Sequence, residues 1–435
     1  MARRVTRTLC VHLGERIVGR LRLAASGETS FAYDDAWIGE EGAPISRSLP
    51  LRRQPYLGGA AISFFDGLLP DAEAIRVRIA EREGAASTRP FDLLDAIGRD
   101  CVGALRFLPE GAPVEPAGPP TGRLMTLEEV AERVRGLKTA PLGRVGGEFR
   151  ISIAGAQDKT ALLRLPDGRW MEPAGSTPTS HILKPPIGVT QGGLDLSSSV
   201  EAEWLSLALC RAFGLEAALA EVMAVETTAA GPVKWLAVER FDRVWRDGVL
   251  RRIHQEDMAQ AFGAPTLKKY ESEGGPGVQS IIALLRESDR PDQDTAAFLK
   301  AQMVFWLLAA PDGHAKNFSI QPTRAGFRLA PLYDVMTSIP YADVREFHPR
   351  RVKLAMAIGA SRKWKVDEIC PRHWCETAEA ALLDRDLAPR LMADIAAKAP
   401  SALDEVSQTL PQAVSHAFFE PVAQAVLTRA ARFAG

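Results

Sequence analysis

A largely apolar stretch in the second half of the chain runs directly into a short polar loop. Residues 298–310 are rich in Phe, Leu, Met and Trp, and residues 311–317 read Pro-Asp-Gly-His-Ala-Lys-Asn. A helix over the apolar segment must be buried, so the loop that follows it is held rigidly at its start. The fold is therefore constrained to present the polar side chains of this loop from a fixed support.

Three oxygen-bearing side chains follow this helix in a set order. Asp312 precedes Asn317 by five residues, and Asp334 comes later, in Leu-Tyr-Asp-Val. Protein kinases place a catalytic Asp five residues before a metal-binding Asn, and a second metal-binding Asp follows. We assign Asp312 to orient an acceptor hydroxyl and take its proton, and the other two to hold Mg²⁺. The alternative is a surface turn, since Asp and Gly favour turns, but the complete pattern favours phosphoryl transfer.

Further residues are candidates for contact with the phosphates of ATP. His314 and Lys316 lie inside the same loop. Lys184 ends the predicted strand 181–184, which two prolines stop, and a strand lysine that reaches the α- and β-phosphates is what a kinase needs. Lysines at strand ends are also common without any such role.

A turn of small residues is predicted between strands at 149–153 and 160–165. Small side chains allow backbone N–H groups to approach phosphate oxygens. The sequence is not that of a Walker A loop, and a plain hairpin explains it equally well. The candidate residues of this turn are Ser152, Ala154, Gly155 and Ala156.

The segment Glu-Arg-Phe-Asp-Arg, residues 239–243, lies between the two halves of the chain. Backbone atoms of Glu239 could hydrogen-bond adenine while Phe241 packs against the base. The alternative is a strand end with surface salt bridges, which contribute little individually.

Composition limits the class of protein. A chain of 435 residues and 47.2 kDa is too long for one ordinary core, so two or three packed units are expected. The formal net charge is -1, whereas a general nucleic-acid binder is usually basic. Contact with DNA would therefore need a local patch or a partner protein.

Three features favour a cytoplasmic location without membrane contact. The five cysteines are few, odd in number and scattered, which favours reduced thiols over a disulfide framework. The first apolar run is broken at once by His12, Gly14 and Glu15, so it does not have the form of a secretion signal. The most apolar helical stretch, residues 303–310, is far too short to cross a bilayer.

Local patterns predict an α+β fold in two lobes, with a β-rich amino-terminal half and a mainly helical carboxy-terminal lobe. Residues 8–23 alternate about a Gly-Glu turn, as in a hairpin. Residues 126–129 form a capping box for a helix that reaches Leu137. After Asp242 the chain is predicted to be mostly helical, apart from residues 312–334.

A linker rich in Pro and Gly at 111–120 sets the first boundary. The predicted division is an amino-terminal α/β subdomain at 1–112, a nucleotide-binding region at 123–242, and a helical lobe at 243–435.

Ten segments of the sequence together resemble the HipA family of serine/threonine kinases, the toxins of bacterial toxin–antitoxin pairs. They occur in family order over nearly the whole chain. Small departures are Pro311, where threonine is familiar, and Asp158, where glutamate is. The matching segments are 64–71, 89–94, 98–100, 151–157, 181–184, 239–243, 255–258, 269–272, 312–317 and 353–356.

The resemblance implies the following roles for individual residues: catalysis for Asp312, Mg²⁺ binding for Asn317 and Asp334, ATP binding for Lys184, Glu239, Phe241 and His314, and inhibitory autophosphorylation for Ser152. It implies phosphorylation of a protein, typically an aminoacyl-tRNA synthetase, with growth arrest and persistence as the result. It also implies a helix-turn-helix antitoxin (HipB-like) that provides most of the contact with operator DNA. The alternatives are a small-molecule kinase and a non-catalytic corepressor that holds a DNA-binding partner.

Overall fold

The computed structural model describes residues 5–40, 42–138, 152, 154–155, 157–190, 193–227, 231–342, 347–348 and 350–434. Its strands are β1 Arg7–Leu13, β2 Arg16–Leu23, β3 Thr29–Tyr33, β4 Tyr56–Leu57, β5 Leu105–Pro109, β6 Gly122–Met125, β7 Thr160–Arg164, β8 Trp170–Pro173, β9 His181–Lys184, β10 Gly188–Val189, β11 Asp195–Leu196, β12 Ala220–Val225, β13 Val233–Glu239, β14 Arg243–Arg246, β15 Val249–Arg252, β16 Glu256–Asp257, β17 Ser319–Pro322, β18 Phe327–Leu329, β19 Lys353–Ile358 and β20 Lys363–Lys365. Its helices are α1 Asp35–Gly39, α2 Gly59–Asp66, α3 Glu73–Glu83, α4 Pro90–Ile97, α5 Leu127–Arg135, α6 Ser199–Ala212, α7 Met258–Ala261, α8 Val278–Leu285, α9 Pro291–Leu307, α10 Pro371–Ala380, α11 Leu387–Gln408 and α12 His416–Ala431.

The chain divides into two compact units, which confirms a sheet-rich first half and a helix-rich second half. Unit 1 comprises Met1–Pro185, Val225–Val233 and Ala237–Leu267, and unit 2 comprises Pro186–Ala224, Lys234–Leu236 and Lys268–Gly435. The finer division into 1–112, 123–242 and 243–435 remains a prediction.

The amino-terminal part of unit 1 is a five-stranded sheet of order β4-β3-β2-β1-β5. The predicted hairpin is confirmed, with β1 and β2 antiparallel and Leu9 opposite Leu21. Helices α2 and α4 contact this sheet. Aromatic rings fill the space between them, with the Phe65 ring 5.2 Å from that of Phe31 and 5.7 Å from that of Phe107, both edge-on. Edge-on packing adds to the stabilisation that comes from burial alone.

A second sheet has six strands, in the order β12-β13-β9-β7-β8-β6. Strands β7 and β9 are antiparallel, with Thr160 opposite Leu183. The capping box before α5 is confirmed, because the Thr126 side chain accepts from the Glu129 N–H and the Glu129 side chain accepts from that of Thr126. The sheet places the Lys184 end of β9 and the Glu239 end of β13 in unit 1.

Unit 2 is built around α9, in which Phe298, Phe305 and Trp306 are at most 2% exposed. Helices α6, α8, α11 and α12 form the rest of its helical framework, with α11 in contact with α6, α9 and α12. No helix in the described part of the chain is both long enough and apolar enough to span a membrane.

Two hairpins are exceptions to the predicted, mostly helical chain after Asp242. Strands β14 and β15 pair through a turn at Asp247 and Gly248, whose φ angles are 50° and 73°. Positive φ at both central residues of a two-residue loop is the geometry that Asp-Gly favours in hairpins, so the signal was present in the sequence. Strands β19 and β20 also pair, although the Leu, Ala and Met residues of β19 have high helix propensity. Tertiary burial outweighs that weak local preference.

Candidate active site

The loop after α9 is fixed at its start by the carboxyl end of that helix. The Thr337 hydroxyl donates to the Leu308 carbonyl oxygen at 2.6 Å, and the Ser338 hydroxyl donates to that of Ala309 at 2.6 Å. A Cβ atom at Gly313 would lie 2.6 Å from the Phe305 ring, so no larger residue fits there without a shift. The predicted rigid support for Asp312 is therefore present.

Asn317 ties the loop together. Its backbone N–H donates to the His314 carbonyl oxygen at 2.9 Å, within a short 3₁₀ turn that covers residues 315–317. Its side-chain Nδ2 donates to the backbone oxygen of Asp312 at 2.6 Å and to that of Asp334 at 3.4 Å. Because the amide nitrogen faces these two carbonyls, the amide oxygen is oriented away from them and can coordinate a cation.

Asp334 has a left-handed backbone, with φ at 57°. Non-glycine residues adopt this region uncommonly, although Asp is among the more tolerant, and such outliers cluster at functional sites. The neighbouring Tyr333 fixes the segment, because its hydroxyl donates to the Lys316 carbonyl oxygen at 2.7 Å and lies 2.6 Å from the Ser319 hydroxyl. Unit 2 thus brings Asp312, Asn317 and Asp334 into one hydrogen-bonded group.

The carboxylate of Asp312 is oriented by two aromatic neighbours. The Tyr270 hydroxyl donates to its Oδ1 at 2.5 Å, and the Nε2 atom of His314 lies 3.6 Å from the same oxygen. The two rings meet edge-on with centroids 4.9 Å apart. The Asp312 side chain is still 51% exposed, so a substrate hydroxyl can reach it. His314, predicted to contact ATP, lies beside the candidate catalytic carboxylate.

Sequence reasoning gave Tyr270 no role, although it lies in one of the segments that resemble the HipA family. Its distance of 42 positions from Asp312 hides the contact in the sequence. We expect Tyr270→Phe to lower kcat by about tenfold, since a charge-assisted hydrogen bond contributes roughly 1.5–3 kcal/mol and only part of that acts on the reaction. Initial rates of phosphate transfer would measure this effect, with KM for ATP unchanged.

Tyr33→Phe is the matched control, because that buried hydroxyl bonds backbone groups elsewhere in unit 1. It should reduce stability without a selective loss of kcat. Equal kcat values for Tyr270→Phe and wild type would contradict a positioning role for Tyr270.

The candidate nucleotide residues of unit 1 lie on two strands of its second sheet. Lys184 is buried at the end of β9, as predicted. Glu239 is exposed at the end of β13, and Phe241 is half-buried just beyond it. These positions are compatible with the predicted contacts, which remain predictions.

The small-residue turn is only partly described, since Ala156 and most of the predicted strand 149–153 lie outside the described residues. Ser152 has no exposed surface, and its hydroxyl donates to the Leu68 carbonyl oxygen at 2.7 Å. Gly155 has φ at 108°, and its carbonyl oxygen accepts from the Asp71 N–H at 3.0 Å. The carbonyl oxygen of Ala154 accepts from Lys159 Nζ at 2.6 Å. The Ser152 end of this turn is therefore packed against unit 1 and not extended into solvent.

The ion pairs of residues 239–243 are not surface salt bridges, so that interpretation was wrong. Arg240, Asp242 and Arg243 are buried. Arg240 Nη2 lies 2.9 Å from Asp242, and Arg243 Nη2 lies 3.0 Å from Asp100. A third arginine, Arg252, lies 2.9 Å from Asp100. Sequence reasoning could not find this cluster, because Asp100 is remote in sequence from the arginines that surround it and each charged residue alone has the character of a surface residue.

The electrostatics of this cluster keep its carboxylates ionised. Burial alone would raise the pKa of Asp100, but Arg243, Arg252 and Arg240 outweigh it and hold that pKa well below its ordinary range. The pKa of Asp242 is also lowered, because Arg240 and Arg243 outweigh its burial. The cluster therefore fixes the chain on both sides of Phe241.

The donor set of unit 2 fits Mg²⁺. Asn317 supplies an amide oxygen and Asp334 a carboxylate, which are the hard oxygen donors that this ion prefers. Among the described residues, no cluster of three or more His, Cys, Asp and Glu side chains could hold a metal by itself. Mg²⁺ is usually held by one or two protein carboxylates together with phosphates and water.

Comparison with known proteins identifies the family. The model of the HipA-like C-terminal domain matches residues 151–403, and the model of the HipA N-terminal domain matches residues 9–108. A Sinorhizobium fredii protein named as a kinase, Y4mE, is 39% identical over 81% of each chain. The Shewanella oneidensis serine/threonine-protein kinase toxin HipA is 29% identical over 93% of this chain and 90% of its own.

A solved structure shares the fold. The Shewanella oneidensis toxin–antitoxin complex of HipA, HipB and operator DNA contains a chain with a TM-score of 0.80 and 26% identity, covering 98% of this chain and 97% of that one. The fold and these relatives together define a kinase. The chain belongs to the HipA family.

Proposed function

We propose that this protein is an ATP- and Mg²⁺-dependent serine/threonine protein kinase that acts as the toxin of a toxin–antitoxin pair. Its target would be a component of translation, an aminoacyl-tRNA synthetase being the best candidate, and its action would arrest growth. The observation that carries the proposal is the group in unit 2, where Asn317 bonds the backbones of Asp312 and Asp334 while Tyr270 orients the Asp312 carboxylate.

Each residue of this group has a defined task in the proposed reaction. Asp312 accepts a hydrogen bond from the acceptor hydroxyl and takes its proton as the oxygen forms its bond to the γ-phosphorus and ADP leaves. Tyr270 holds the receiving carboxylate in place. Asn317 and Asp334 would hold the magnesium ion, which neutralises charge on the phosphates when it is bound.

The resemblance to the HipA family assigns the proposed nucleotide contacts to individual residues. Lys184 would neutralise phosphate charge, Glu239 backbone atoms and Phe241 would contact adenine, and His314 would contact the phosphates. Backbone N–H groups near Gly155 would also approach phosphate oxygens, since glycine leaves them uncovered.

The proposed partner is a small helix-turn-helix antitoxin similar to HipB. Support comes from the similar HipA chain, which was solved with HipB and operator DNA. A formal net charge of -1 favours DNA contact mainly through that partner.

The proposal is tested by incubating the purified protein with ATP labelled at the γ-phosphate. We expect Mg²⁺-dependent label on serine or threonine of the protein itself. In a second experiment, phosphoproteomics after brief induction in cells should find a new phosphoserine or phosphothreonine in one translation protein. Label confined to a small molecule would contradict the proposal, as would growth arrest without any protein phosphorylation.

Ser152 provides a test of the proposed self-inhibition. A phosphate adds roughly -1.5 to -2 charges, and the buried Ser152 site has no room or solvent for them. The turn must therefore leave its position after modification, and nucleotide contacts are lost with it. We expect Ser152→Asp to weaken ATP binding at least about tenfold, which is 1.4 kcal/mol, measured by titration calorimetry.

Ser26→Asp is a matched control, because Ser26 is exposed in a turn of the same unit. It should bind ATP as wild type does, and Ser152→Ala should bind it nearly as well. If Ser152→Asp also bound ATP with wild-type affinity, self-inhibition through this turn would be untenable.

A further inference from the structure

Unit 1 contains a cavity of about 380 Å³ that no part of the proposed function uses. Its lining includes the positively charged Arg106, Arg251 and Arg252 and the apolar Leu13 and Leu250. Ligand pockets in proteins typically measure roughly 300–1,000 Å³, so the cavity can hold a small organic molecule. Its lining combines apolar surface with an excess of positive charge.

Arg106 is the least compensated of these cations. It is only 6% exposed, and its Nη2 donates to the Gly14 carbonyl oxygen at 2.5 Å. Within the ranges that the structure describes, no carboxylate lies within ion-pair distance of Arg106. Arg252, by contrast, is paired with Asp100 at 2.9 Å. A guanidinium has five N–H donors, so most donors of Arg106 remain for a ligand in the cavity.

The surroundings of Arg106 disfavour its positive charge. Burial and then the neighbouring Arg252 lower the pKa of Arg106, and the opposing effects of the more distant Glu115, Glu15 and Asp100 do not outweigh them. His12, opposite Arg106 on β1, offers no negative charge. Glu15 lines the cavity, but it is exposed and its carboxylate accepts the Ala117 N–H at 3.3 Å. A buried cation that is poorly paired is costly by itself, and an anion in the cavity would offset that cost.

We propose that this cavity binds a small oxyanion, a carboxylate or phosphate group carried on an apolar body, with Arg106 as its main partner. The planar fork of a guanidinium matches both groups in a bidentate arrangement. Leu13 and Leu250 would contact the apolar body. The site lies in the amino-terminal part of the chain and does not depend on the proposed kinase reaction.

Titration calorimetry of the full-length protein with phenyl phosphate, benzoate and benzyl alcohol tests the site. We expect one or both anions to bind and the neutral alcohol to bind at least about tenfold more weakly. Arg106→Gln should weaken anion binding at least about tenfold, whereas Arg106→Lys, which keeps the charge but not the fork, should retain part of it. Arg22→Gln, an exposed arginine on β2, should leave binding unchanged.

Two further variants locate the bound anion. Ala117→Trp places a bulky side chain at an exposed position in the lining and should block binding without disturbing Arg106. Lys184→Gln should leave anion binding to this cavity unchanged, because that lysine belongs to the proposed ATP site. Anion binding that survives both Arg106→Gln and Ala117→Trp, or that is lost in Lys184→Gln, overturns the proposal. Failure of all three probes to bind overturns it as well.

Discussion

The Asp312→Asn protein is expected to fold normally and to lose phosphate transfer by about 10²–10⁴-fold, the range that general base catalysis contributes. Asparagine keeps the size of the side chain and can still hydrogen-bond Tyr270, but it cannot take the proton of the acceptor hydroxyl. The backbone oxygen of residue 312, which accepts from Asn317, is unchanged. The loss should therefore appear in kcat, with little change in ATP affinity, and single-turnover rates with labelled ATP would measure it.

The same variant connects the chemistry to growth arrest. Asp404→Asn is a suitable control, because Asp404 is exposed on α11 of the same unit. It should keep both activity and toxicity, whereas Asp312→Asn should lose both and still bind the antitoxin. If Asp312→Asn remained toxic at equal abundance, growth arrest would not come from phosphorylation, and the corepressor alternative would gain support.

The arrangement of the site in unit 2 follows from short-range sequence features. The apolar residues of α9 require burial, and the spacing from Asp312 to Asn317 allows the side chain of the second to reach the backbone of the first. Both features act within a few residues, so pattern and spacing are sufficient to predict them. Tyr270 was missed because its contact with Asp312 depends on how the chain folds back, which local patterns do not encode.

The fold was predictable to a similar extent. The β1–β2 hairpin and the α5 capping box have strong local signals, and both were found. Hairpin β14–β15 was missed although Asp247-Gly248 marks its turn, because the helical character of later segments was extended over it. Strand β19 could not have been found from propensity, since its burial in unit 2 decides its conformation.

Replacement of Asp100 by Asn should be among the most destabilising single changes in unit 1. Asp100 Oδ1 is shared by Arg243 and Arg252, at 3.0 and 2.9 Å, and Oδ2 accepts from the Thr179 hydroxyl at 2.7 Å. Loss of its charge leaves Arg240 and Arg243 with the carboxylate of Asp242 and breaks the ion pair of Arg252. Removal of one partner from a buried ion pair typically costs about 3–5 kcal/mol, a large part of a typical unfolding free energy of roughly 5–15 kcal/mol. Urea denaturation would measure it as a lower midpoint.

An exposed pair provides the contrast that identifies burial as the cause. Arg169 lies 2.6 Å from Asp167, and both side chains are more than half exposed. Asp167→Asn should therefore leave the urea midpoint almost unchanged. If Asp100→Asn lowered the urea midpoint as little as Asp167→Asn does, the charges of the buried arginines would have to be compensated by other groups.

The pH dependence of stability separates a charge effect from a packing effect. The folded-state pKa of Asp100 lies below its unfolded value of about 3.9. Its contribution is therefore fully present above that unfolded pKa and is lost as the pH falls toward the folded one. Wild type should lose stability steeply below pH 4, and Asp100→Asn should lose less over the same range. If the two proteins lost stability in parallel as the pH fell, the destabilisation by Asp100→Asn would come from packing and not from charge. The backbone oxygen of Asp100 also accepts the Ser152 N–H at 3.0 Å, so this charge cluster supports the turn on which the proposed self-inhibition depends.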